Sequence, residues 1–357
     1  MKRRKDEMED NLSIAEVNRI VDDLRAPRMA VYWADFLASI TIGGACFFGV
    51  RVTPLFSPQQ ILCFIVSGLF FYRAVIFNHE LVHMTHDNAS LRRFRVFWNL
   101  SCGIPFLMPS FTYWTHWDHH SSSHYGTPSD GEYLRFAAGP PLRIVKYLAA
   151  CFVIPIFAVI RFFILTPLGW FSGRLRKAIY KRASSLVINP SYIRPEPTAP
   201  QERIIRWQEL ACFLWCTFIF LVLPFIVNRW PWPFWLRIYL LAVFVMLLNA
   251  FRTLGAHRYR NDGQPTGFTQ QVLDSVNYPY LGWIHEFLAP VGLRYHAMHH
   301  LQSTLPYHAL PEAHRRLMRE LPEDSVYRST VEFSLISVLT DLWRQATSAA
   351  RKNNKRF

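Results

Sequence analysis

Histidine carries the chemistry in this sequence. Its 14 His fall into two groups of seven, one between His79 and His124 and one between His257 and His314, with none in the long interval separating them. Three motifs stand out. Asn78-His79-Glu80-Leu81-Val82-His83 sets two His at i,i+4, on one helical face. His116-Trp117-Asp118-His119-His120 and His296-Ala297-Met298-His299-His300 each read HxxHH. On a helix these three positions share a face, so each motif predicts three imidazoles converging on one point. At this histidine content about 0.02 copies of HxxHH are expected by chance, so two copies point to a ligand set. A catalytic zinc takes about three protein ligands, and eight His exceed that. Imidazole suits iron, copper, zinc and nickel, so two metals sharing a cage is the best reading. His257 lies just past an apolar run, as His79 does, and is the expected ninth ligand. His86 and His124, and the carboxylates of Asp118, Glu80 and Glu286, are candidates for orienting the ligand rings through their other nitrogen. His285, His308 and His314 read as structural.

The elements that must position these residues are apolar. Hydrophobic residues make up 51% of the 357 and charged ones 18%, which excludes a disordered or collagen-like chain. Apolar stretches lie at about 30–50, 61–77, 147–165, 211–227 and 232–251. A helix crosses a bilayer with about 20 such residues. All qualify but the third, which carries Pro155 and Arg161. Arg73, six residues before His79, is expected to snorkel to the interface. The fold expected is an all-α integral membrane protein. It has about four transmembrane helices in two hairpins (30–77 and 211–251), a half-embedded element, and a cytoplasmic helical cap carrying the histidines.

Arg and Lys concentrate at the N-terminal flank, in 172–207 and in the tail, whereas 228–236 reads as an aromatic belt. Both termini and all histidine groups are therefore placed in the cytoplasm. If 147–165 crossed fully, the second histidine group would lie opposite the first. Three regions follow. Residues 1–29 carry a cytoplasmic amphipathic helix, with Ser13 and Glu16 as its capping box and Ile14, Val17, Val21 and Leu24 on one face. Residues 30–315 form the membrane domain, with a cytoplasmic linker at about 172–207 that includes the Pro-rich piece 190–200. Residues 316–357 form a cytoplasmic helical tail. The six Cys make no CxxC pair and read as buried thiols, Cys212 and Cys216 as core packing. The net charge of +14 suits an anionic membrane or an acidic protein partner. The apolar runs argue against a nucleic-acid binder.

In the order HxxxH (His79, His83), HxxHH (His116, His119, His120) and, much later, HxxHH (His296, His299, His300), with apolar hairpins before the first and third, the chain resembles the membrane fatty-acid desaturase and hydroxylase superfamily over most of 30–315. The resemblance implies a non-haem di-iron centre held by histidines on the cytoplasmic side, with His257 as the additional family histidine. The first motif has three intervening residues, similar to acyl-lipid desaturases. The third begins with His and not Gln, unlike front-end desaturases. The chain carries no fused cytochrome b5 motif (His-Pro-Gly-Gly).

Taking hydrogen from an unactivated methylene needs an oxidant that no side chain supplies, so the metal must. O2-dependent desaturation of a lipid-linked acyl chain is the expected reaction, with O2 as co-substrate at two irons. Hydroxylation of an acyl chain, carotenoid or other lipid is the alternative. Electrons must come from outside, from a donor such as ferredoxin or cytochrome b5, because the chain has no flavin or nicotinamide fingerprint. Residues 79–83 are also a literal HExxH, which makes a membrane zinc protease with Glu80 as general base a more distant reading. A metal or haem carrier is another. The sequence does not fix the oligomeric state.

Overall fold

The computed structural model describes residues 12–84, 89–228 and 232–354. Helices make all of its regular structure apart from isolated β-bridges. The chain divides into two compact units. The first joins Met1–Val31, Trp117–Lys146 and Asn249–Phe357; the second joins Tyr32–His116 and Tyr147–Leu248.

The second unit is dominated by apolar helices. Among the described residues, five helices are long and apolar enough to cross a membrane: Met29–Val52, Pro58–His83, Ile154–Phe171, Ala199–Ile226 and Trp232–Ala256. This is one more than the four expected. The addition is the third stretch, shifted to 154–171. At 1.5 Å per residue its 18 residues reach about 27 Å, slightly less than a bilayer core. Its centre, Ile160–Leu165, is π-helical, and Pro155 and Pro167 fall in the first turns of the α-helical pieces on either side. Arg161 does not break the helix, because every arm of its buried guanidinium is occupied. Nε donates to the Ala183 carbonyl (2.8 Å), Nη1 to Thr166 Oγ1 (2.6 Å) and Nη2 to Ser184 Oγ (2.9 Å), and Glu209 completes an ion pair.

Gly68 lets the Pro58–His83 and Trp232–Ala256 helices meet, since a Cβ there would fall 2.2 Å from the Phe244 ring. Arg73 does not snorkel: it forks onto the Asp35 carboxylate at 2.5 and 2.6 Å. Residues 172–207 are more ordered than a linker. They contain the helix Gly173–Ala183 and the first turns of Ala199–Thr217. The Pro-rich stretch between is pinned by buried Arg194, which donates to the carbonyls of Phe111 (2.8 Å) and Ser184. Cys212 and Cys216 pack in a core with Phe111 and Phe162.

In the first unit the helix Ile14–Val21 starts where expected, the Ser13 hydroxyl accepting from the Glu16 amide at 3.3 Å. Val17, Ile20 and Val21 are buried with Leu310, Ala313 and Leu317 of the helix Leu310–Glu320. Arg316 secures the pair by donating to Asp23 (2.6 Å) and the Ile20 carbonyl (3.1 Å). At the centre an extended segment, 275–278, bridges three chain regions. Ser275 pairs with His257, and Asn277 with both Tyr295 and Val331. The Asn277 side chain also accepts from the Met298 amide at 3.0 Å, which fixes the start of the helix His296–Leu301.

Candidate metal centre

Four buried imidazoles of the first unit face one another. His119 lies on the short helix His116–His120, His257 directly follows the helix Trp232–Ala256, and His296 and His300 sit one turn apart on His296–Leu301. Their Nε2 atoms approach at 3.1 Å (His119 to His257), 3.0 Å (His257 to His296) and 3.2 Å (His296 to His300). Donor nitrogens of all four lie within 4.8 Å of each other. Two nitrogens bound about 2.1 Å from one ion and at right angles sit about 3.0 Å apart, so this spacing suits a shared metal.

The far sides of three of these rings, His119, His257 and His300, are held. His119 Nδ1 donates to Asp130 (2.9 Å). Tyr125 Oη lies 2.9 Å and Ser275 Oγ 3.1 Å from His257 Nδ1. The Gln271 amide lies 3.0 Å from His300 Nδ1. With Nδ1 engaged, Nε2 is the nitrogen left to face an ion, the pattern expected of metal-ligating histidine. Burial, reinforced by the neighbouring imidazoles, pushes His296 and His300 well below the usual histidine range. They stay neutral, as a ligand must. Burial also opposes a charged His119, but the Asp130 carboxylate overrides it and raises that ring.

His120 and His299 form a second pairing in the same unit, Nε2 to Nε2 at 3.2 Å. Each HxxHH motif therefore does not converge on one point. In the third motif His296 and His300 join the four-imidazole cluster while His299 turns to His120. In the second, His119 and His120 likewise part. Positions i and i+4 stack along a helix face, while i+3 lies on its flank, and a five- or six-residue helix has room for both directions. Motifs far apart in sequence thus meet: His119 and His300 have ring centroids 5.0 Å apart, and His120 and His299 4.8 Å.

The second unit carries its own trio. His79 and His83 lie on the last turn of Pro58–His83, with ring centroids 5.1 Å apart. His116 lies 4.5 and 4.9 Å from them. Tyr113 stacks on His116 at 4.8 Å.

Of the candidates for orienting these rings, His86 lies outside the described residues. Asp118 comes within 3.4 Å of His124 Nδ1, and both are partly exposed. Glu80 is buried and accepts from the Tyr32 hydroxyl. Two further carboxylates that the sequence reading missed are Asp130, bonded to His119, and Asp274, which accepts from the Tyr125 hydroxyl beside His257. Neither belongs to a histidine motif, and only tertiary contact brings them in. His285, His308 and His314 are structural: His285 donates to the Tyr280 carbonyl and accepts from the Leu335 amide, His308 accepts from the Arg28 amide, and His314 bonds Tyr327.

Residues 56–331 match the family model described as fatty acid desaturase. A ceramide hydroxylase of Caulobacter vibrioides is 36% identical over 341 residues, covering 91% of this chain and 92% of the relative. The chain belongs to the fatty acid desaturase family and is an oxidoreductase of the desaturase and hydroxylase superfamily.

Proposed function

We propose that this protein is a membrane hydroxylase that inserts one oxygen atom of O2 into a lipid of the ceramide class, at a di-iron centre held by His79, His83, His116, His119, His120, His257, His296, His299 and His300. The observation that carries the metal reading is the buried four-imidazole cluster, three of whose Nδ1 atoms are anchored. These four suit one ion, and the remaining five belong to the histidine motifs. Hydroxylation is favoured by the near-full-length similarity to a ceramide hydroxylase. Desaturation of a lipid acyl chain is the second reading, favoured by the family match itself.

Bound iron supplies the reductive activation of O2 needed to attack an unactivated methylene. The chain's own work is positional. Asp130, Tyr125 and Ser275 hold ligand rings, and burial of all four excludes water from the oxidising centre. Glu80 is engaged by Tyr32 and is not poised as a peptidase base. Electrons come from outside, through a small acidic donor of the ferredoxin or cytochrome b5 kind, and the protons come from solvent.

Topology supports one location for the first unit. Trp117–Lys146 and the chain from Asn249 onward belong to that same unit. The three candidate spans between must therefore cross an even number of times. The short helix 154–171 is the one we place as half-embedded. The first unit then forms a cap, cytoplasmic because the cation-rich segments flank it.

The test is lipid analysis of a host with and without this chain, under 18O2. A ceramide-class lipid gaining one labelled oxygen is the expected product. A lipid losing two hydrogens without label would establish desaturation instead, and no change in any lipid would sink both readings.

A further inference from the structure

We infer that Tyr125, locked by Asp274, is a positioning residue that decides which ring nitrogen of His257 carries the proton and so leaves His257 Nε2 bare for metal; this rests on the metal reading above. The donors and acceptors around His257 Nδ1 fix its tautomer. Asp274 ends the helix Phe268–Asp274 and is buried. Three donors meet on its carboxylate: the hydroxyls of Tyr125 and Tyr133, each 2.8 Å from Oδ2, and the Arg260 amide, 3.0 Å from Oδ1. With three donors aimed at it, Asp274 acts only as an acceptor.

Tyr125 therefore spends its one proton on Asp274, and its oxygen can only accept from His257 Nδ1, 2.9 Å away. Ser275 Oγ, 3.1 Å from the same nitrogen, donates its own proton to the Gln271 carbonyl at 3.1 Å. Both neighbours of Nδ1 are acceptors, so Nδ1 bears the hydrogen. Nε2 is then a lone pair, aimed at His119 and His296. Tyr125 is fully buried, so its role does not pass readily to bulk water. Tyr133 is a built-in control. It bonds the same carboxylate, but its oxygen accepts from the Asn261 amide at 3.1 Å, and it makes no hydrogen bond to His257.

The experiment is anaerobic titration of the metal-stripped full-length protein in nanodiscs with Fe(II) against a chelator, alongside the melting temperature of each metal-free form. Tyr125→Phe is expected to weaken iron binding about 10-fold, within the range for losing an outer partner of a ligand. Asp274→Asn should weaken it more, about 100-fold. Its amide would offer N–H to Tyr125, turn the phenol proton onto His257 Nδ1 and invert the tautomer. Tyr133→Phe should bind within about twofold of wild type.

Equal losses in Tyr125→Phe and Tyr133→Phe would overturn the inference, as would wild-type affinity in Asp274→Asn. Should Asp274→Asn melt early, the two phenylalanine variants decide alone. Failure of the wild type itself to bind iron would count against the metal centre and not against the tautomer.

Discussion

His119 shows how much one ring must do. Its Nδ1 is committed to Asp130 and its Nε2 faces His257, so removing the ring takes one imidazole from the cluster and one of several partners from a buried carboxylate. His119→Ala or His299→Ala is expected to abolish turnover and lower iron content while leaving membrane insertion intact; wild-type turnover in either would break the ligand assignment. His314 bears on stability instead. Buried against Tyr327, it has its proton affinity lowered by burial and then by Arg294, to about 4 from an ordinary 6.5. Between those values the unfolded chain binds a proton that the folded chain refuses. Stability is therefore full above pH 6.5 and falls as pH drops toward 4, by about 2 kcal/mol near pH 5. His296 and His300, also depressed, act in the same sense. Melting curves of wild type and His314→Gln across this window should converge on acidification, and parallel curves would show that His314 contributes nothing.

Among the elements, Ile154–Phe171 departs most from its sequence-based description. Composition marked Arg161 as an interruption, but its hydrogen bonds to Ala183, Thr166 and Ser184 and its ion pair with Glu209 let a charged residue sit inside an apolar helix. Removing one partner of such a buried pair strands the other, which explains why an Arg is tolerated here at all. If this helix is half-embedded, the segments on its two sides share a compartment. Single cysteines at exposed Ser129 and Ser191, in a background lacking native Cys, should both react with an impermeant thiol reagent from the cytoplasmic side only. Labelling of the two from opposite faces would show that 154–171 crosses.

At the scale of the whole molecule, 39 Lys and Arg against 25 Asp and Glu leave a charge of +14. In the proposed topology part of this would orient the chain in the membrane, and the remainder would offer long-range attraction to the proposed acidic electron donor, an effect that salt screens within about 10 Å at 0.1 M. Turnover supported by reduced ferredoxin should fall as ionic strength rises, chiefly through association; a flat dependence would remove steering from the account.

The sequence by itself determined the residue types and their order. Three histidine motifs, apolar runs of membrane length and the N-terminal cap at Ser13 were all legible, because each is a local pattern with a fixed helical period. It also singled out His257, by its place past an apolar run. It could not say that His299 parts from His296 and His300, since that depends on where a one-turn helix is aimed. Nor could it find Asp130, Tyr125 and Asp274. A carboxylate or phenol orients an imidazole by a contact of about 3 Å, and residues brought that close from distant parts of the chain leave no periodicity to read. Only the packing around 275–278, where backbone bridges draw His257 and the third motif together, decided which imidazoles share a centre.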